Sequence, residues 1–148
     1  MAETVETYTI YPTNKYNRPI PPSTIPLHGL DLISPPLQIH NHRFYHQPPS
    51  HIDVIERLKS SLAEALELYA PVAGTVEVND KGKPYILINN KNMMGTPFLV
   101  QKKDTPFSGD DEDLSPRTIV LLPPSSSILA VKVTQVNIEI IFIILSLK

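Results

Sequence analysis

Proline sets the frame for this chain. Sixteen prolines stand against five glycines, clustered at Pro19, Pro21, Pro22 and Pro26, at Pro35, Pro36, Pro48 and Pro49, and at Pro123 and Pro124. A proline nitrogen donates no hydrogen bond and its fixed φ breaks helices and interior strands, so regular structure is confined between the clusters. One interval, between Pro49 and Pro71, reads as a strong helix. Over residues 52–69 the apolar positions Ile55, Leu58, Leu62, Ala65, Leu66 and Tyr69 recur three and four apart, which makes one packing face. Glu56, Arg57, Lys59, Ser60, Glu64 and Glu67 fall mostly off it and define a solvated face. Ser50 ahead of Asp53 gives an S-x-x-D start, and Pro71 followed by small residues to Gly74 gives the stop.

The rest reads as extended. Residues 4–11 alternate as a strand with Val5, Tyr8 and Ile10 as candidate buried groups. LHGLDL, at 27–32, is a compact turn whose Leu27, Leu30 and Leu32 are expected in the core while Asp31 bonds backbone amides. Residues 75–78 and 84–89 form a hairpin around Asn79, Asp80, Lys81 and Gly82. Residues 89–94 make a polar turn, and 96–101 a further extended piece with Phe98 and Val100. The acidic stretch at Asp110, Asp111, Glu112 and Asp113 lacks the spacing and distal Glu of a calcium loop and reads as a solvated loop. Strands follow at 119–122 and 128–135, the second with Leu129, Val131 and Val133 on one face and Ala130, Lys132 and Thr134 on a wetter one. Residues 138–147 are almost continuously apolar, too short to span a bilayer, and read as a buried strand or an aggregation hazard.

Between the Pro35–Pro36 and Pro48–Pro49 pairs lies LQIHNHRFYH, at 37–46. As a strand it places His40, His42, Phe44 and His46 on one side and Ile39, Asn41, Arg43 and Tyr45 on the other. Three imidazoles on one face invite a metal reading, but no Asp, Glu or Cys nearby completes a ligand set, and a half-exposed strand is the plainer account.

The totals restrict function. The chain has 148 residues, 41% of them apolar, which suits one domain with one core. A formal charge of -2 with thinly spread Lys and Arg offers no footprint for nucleic acid or a membrane surface. There is no cysteine, hence no disulfide and no thiolate, and the acidic start MAETVETYTIYPT is no secretory signal, so a cytoplasmic location is expected. No phosphate loop, nucleophile elbow, H-E-x-x-H or dinucleotide fingerprint occurs, and no cofactor or metal site is expected. A serine nucleophile among Ser125, Ser126 and Ser127 would need a base that the sequence does not place.

The order TIYPT, PSTIPLHGLDL, the strand with FYH, RLKSSLAEALELYAPVAG, NNKNMMGTPFLV and SILAVKVTQ resembles the N-terminal part of the BAHD acyltransferases over residues 7–135. The match is most specific in LKSSLAEALELYAPVAG, with departures at Ala70, between Tyr69 and Pro71, and at Thr75, where the family usually has arginine. The resemblance implies an α/β fold, a mixed sheet with a packed helix, as an incomplete first lobe of the two-lobed chloramphenicol acetyltransferase-like architecture. It also implies acyl transfer from a coenzyme A thioester, as co-substrate, to an alcohol or amine acceptor.

The family's H-x-x-x-D, whose histidine deprotonates the acceptor, is not in this chain: none of His28, His40, His42, His46 or His51 has an aspartate four residues on. D-F-G-W-G is also missing, and there is no tryptophan. Residues 1–135 are therefore expected to be the N-terminal lobe, and 136–148 an apolar tail of unrelated character and a truncation product, as an unspliced intron translated to a stop would give. No catalytic residue is assigned. Asn41 and Arg43 are the candidates for substrate contact, because the matching part of the family approaches the acceptor pocket. An enzyme by descent that is inactive alone is one reading; a binding or assembly module, docking on a complete relative or on itself through the apolar tail, is the other.

Overall fold

The computed structural model describes residues 4–19, 22–33, 38–46, 48–88, 95–104, 106, 127–136 and 140–147. Two sheets and one long helix carry the fold. The larger sheet contains β1 (Val5–Ile10), β6 (Thr96–Lys103), β7 (Leu129–Val136), β8 (Ile140–Leu147) and β3 (Ile39–His46), in that spatial order. Only β6 and β7 run parallel; the other neighbours are antiparallel, so the sheet is mixed. The smaller sheet is antiparallel, with β5 (Pro84–Leu87) between β2 (Thr24–Pro26) and β4 (Thr75–Val78). A bridge from Thr75 to Ser127 and a bond from the Ile128 N–H to the Gly74 carbonyl, 3.1 Å, join the two.

Helix α2 (Val54–Leu68) packs on the larger sheet. Its Leu66, 1% exposed, meets a core of Ala73, Phe98, Val100, Leu129, Val131 and Val133, with Ile55, Leu58 and Leu62 packed around it. Val54 joins them, while Ala65 is exposed and Tyr69 is 67% exposed, so the stripe is turned slightly from the expected one. The helix starts on Asp53 itself, whose carboxylate accepts the Glu56 N–H, rather than on Ser50. It ends at Leu68, and Pro71 sits in the first turn of the 3₁₀ segment Ala70–Ala73, where a missing N–H costs nothing.

Glu64 and Glu67 do not face water alone. Glu67 accepts from Thr13 Oγ1 (2.6 Å) and from the N–H groups of Lys15 and Tyr16 (both 2.8 Å). Glu64 accepts from Lys15 Nζ (2.7 Å) and Tyr16 Oη (2.8 Å). Together with the Thr13 N–H to Ala63 carbonyl bond, 3.1 Å, they buckle the segment after β1 across the helix. Lys59, paired with Glu56 at 2.6 Å, lies 3.6 Å above the Tyr8 ring and ties α2 to β1.

Other expectations are revised. Val5 is 45% exposed, because it alternates to the face opposite Tyr8 and Ile10. The turn at 27–32 contains a short helix α1 (Leu30–Ile33), with Leu30 83% and Leu32 53% exposed, so neither anchors in the core. Asp31 does bond a backbone amide, that of His28. The hairpin forms as expected, with Gly82 at φ 73 and Asn79 Oδ1 accepting from the Lys81 and Lys83 N–H groups. Strand β7 has no wet face: Ala130, Lys132 and Thr134 are as buried as Leu129, Val131 and Val133, since the strand is central and covered on both sides. The apolar tail becomes β8, hydrogen-bonded to β7 on one edge and β3 on the other. The polar turn at 89–94, the acidic stretch at 110–113 and the strand at 119–122 lie outside the described residues.

Candidate functional site

Strand β3 carries the residues singled out by sequence. It is the last strand on its side of the larger sheet, paired with β8 in the register Asn41 to Leu145 and Arg43 to Ile143. Successive side chains of a strand alternate faces, so Asn41 and Arg43 share the face of Ile39 and Tyr45, and all four are exposed. Arg43 Nε donates to Asn41 Oδ1 at 2.9 Å, which orients the guanidinium and leaves its terminal N–H groups available. Such a fork suits a carboxylate, phosphate or carbonyl oxygen.

The opposite face presents His40, His42, Phe44 and His46, with His40 and His42 half-buried. His42 Nδ1 is enclosed without a hydrogen-bond partner. Burial first, and the neighbouring His40 second, hold its pKa below the usual 6.5, so the imidazole is neutral at pH 7 and keeps a basic nitrogen. The register runs from His42 through Ile144 to Lys132, and from Phe44 through Phe142 to Thr134. Lys132 is 8% exposed, and Thr134 is fully enclosed with an unpartnered hydroxyl. One side of the sheet therefore carries imidazole at its edge and ammonium and hydroxyl groups at its centre. Sequence reading treated Lys132 and Thr134 as a wetted face; the signal for their burial was the apolar run on both sides of them.

Among the described residues no group of three His, Cys, Asp or Glu side chains is placed to hold a metal ion. Ser127 is buried in the bridge to Thr75, which removes it from the candidate nucleophiles, and Ser125 and Ser126 lie outside the described residues. No described helix is long and apolar enough to cross a membrane.

Comparison with known proteins adds a family match and matches among solved structures. The family model described as Transferase family matches residues 1–143. The crystal structure of vinorine synthase superposes with a TM-score of 0.70 at 22% identity, covering 99% of this chain and 38% of that one. The chain thus spans well under half of the vinorine synthase chain, and the likeness establishes the fold. No curated protein matches in sequence.

Proposed function

Since the chain belongs to the BAHD-type transferase family, we propose that it supplies the first-lobe scaffold for transfer of an acyl group from a coenzyme A thioester to an alcohol or amine. The observation that carries this reading is the family match over residues 1–143, which runs through every strand of the larger sheet up to Ile143 in β8. In this reaction a base takes the acceptor proton, the acceptor oxygen or nitrogen attacks the thioester carbonyl, and the coenzyme A thiolate leaves and is protonated. The 148 residues contain no H-x-x-x-D, so the base is not among them. Asn41 and Arg43 are the residues through which this lobe would touch the acceptor: they are exposed, bonded to each other, and retain free donors.

Two measurements test this. Purified chain incubated with acetyl-CoA and a panel of alcohols and amines is expected to release free thiol no faster than buffer, since loss of a positioned base costs about a hundred- to ten-thousand-fold; turnover above that level would refute the incompetence. In a complete relative, replacing the residue equivalent to Arg43 by alanine is expected to raise the acceptor KM more than it lowers kcat, and an unchanged KM would remove Arg43 from the acceptor side.

A second reading is an assembly module. It is favoured by the large apolar side chains left exposed on β3 and α1: Ile39 (65%), Tyr45 (53%), Leu30 (83%) and Ile33 (75%). Association through the tail as a free strand is less favourable, because both edges of β8 are already bonded. A monodisperse monomer by light scattering at high protein concentration would count against this reading.

A further inference from the structure

A groove of about 460 Å³ lies at the turn end of the smaller sheet, away from β3. Its position follows from the fold. Pro26 pairs with Tyr85, the Leu27 N–H reaches the Pro84 carbonyl at 3.4 Å, and Leu32 of α1 comes in from the side. The volume falls in the range that holds small ligands, roughly 300–1,000 Å³. Its apolar lining includes Leu27, Leu32, Pro84 and the ring of Tyr85.

The polar side chains that line it are the Thr24 hydroxyl, the His28 imidazole, the Asn79 amide and the Lys83 ammonium, and the one charge among them is positive. Asn79 Oδ1 is consumed by the N–H groups of Lys81 and Lys83, so what this amide has left is its Nδ2 donor. Lys83 adds an ammonium, and among the described residues no carboxylate is paired with it. His28 adds an imidazole, and among the described residues no acidic side chain lines the groove. Of the acids adjacent in sequence to lining residues, Asp80 follows Asn79 without lining the groove, and Asp31 accepts from the His28 backbone N–H at 3.2 Å. An apolar slot rimmed by donors and one cation, with no acceptor charge, complements an apolar body bearing a single negative group.

We propose that this groove binds a small aromatic carboxylic acid, with its ring on Tyr85 and Pro84 and its carboxylate on Lys83 and Asn79. One ammonium and one amide match a monoanion, whereas a phosphate cradle draws on several converging backbone N–H groups. The site goes beyond the acyl-transfer reading and stands without it, since none of its residues belongs to β3 or to the sheet that carries the candidate acceptor contacts.

The test is titration of isotope-labelled full chain with benzoate, followed by amide chemical shifts. Saturable shifts are expected at Leu27, Lys83 and Tyr85, with none at Asn41 or Arg43. Benzamide, which lacks the charge, is expected to bind up to about fivefold more weakly, the upper end for an exposed ion pair, and acetate, which lacks the ring, is expected to bind more weakly than benzoate as well. Lys83→Glu, at an exposed turn position, should remove benzoate binding while leaving the rest of the spectrum in place, and Lys83→Gln should weaken it. Absence of saturable shifts up to millimolar benzoate, equal binding of benzamide, or equal binding of acetate would each overturn the proposal. None of these outcomes bears on thiol release from acetyl-CoA, so the two readings fail separately.

Discussion

At Gly74 the chain leaves its 3₁₀ turn so close to β5 that an added Cβ would stand 2.7 Å from the Leu87 carbonyl oxygen and 2.9 Å from Ile86 Cγ2. Neither neighbour can retreat without disturbing the strand, so Gly74→Ala is expected to cost about 1–3 kcal/mol, read as a lower urea midpoint at unchanged slope. Leu66→Ala empties the one fully enclosed position of α2 and is expected to cost about 2–5 kcal/mol by the same measurement. A loss below about 1 kcal/mol would mean the core is not closed around it. Leu66 was legible from helical spacing alone. Gly74 was legible as a turn but not as a contact, because nothing in the local sequence says that β5 will lie against it. Lys132 was misread for a related reason: alternation predicts a wet face only where one side of a strand meets water, and β7 is covered on both.

Among the elements, the strap across α2 and the edge strand β3 respond to acid in separate ranges. For Glu67, burial works against the charge, but hydrogen bonds from Thr13 and from the Tyr16, Lys15 and Arg18 backbone outweigh it and hold the carboxyl below its usual range. Glu64 is lowered by its bonds from Lys15 and Tyr16. A depressed carboxyl pKa contributes stability above the unfolded value, near 4.5, and that contribution is lost as pH falls through the lower folded value. His42 is also depressed, so its contribution is complete above 6.5 and fades as pH falls below it. Unfolding midpoints measured from pH 8 to pH 3 are thus expected to fall in two stages. His42→Gln should flatten the earlier stage and Glu67→Gln the later one; a single stage unaffected by either variant would contradict this assignment. The helix, its stop and the hairpin were readable because their signals are local. The strap was not, since Glu64 and Glu67 meet partners about fifty residues away in sequence.

The described residues form a mixed sheet with one long helix packed on it, beside a smaller antiparallel sheet, and the mixed sheet with its helix follows from hydrophobic periodicity together with the family resemblance. The strand order does not: it places the first and third strands on opposite edges, with β6, β7 and β8 between them. Among the described residues, β8 is the one strand that pairs with β3. Deleting residues 140–148 is therefore expected to abolish amide exchange protection throughout β3 while the β4–β5 hairpin keeps its own, and retained protection in β3 would refute this order. The same arrangement has a temporal side. A ribosome delivers β3 long before β8, so a nascent chain must carry Ile39, Phe44 and Tyr45 without their sheet partner until residues 140–147 have been made. During that interval the strand is open to chaperones and to strands of other nascent chains, and the emergence of β8 determines when that exposure ends.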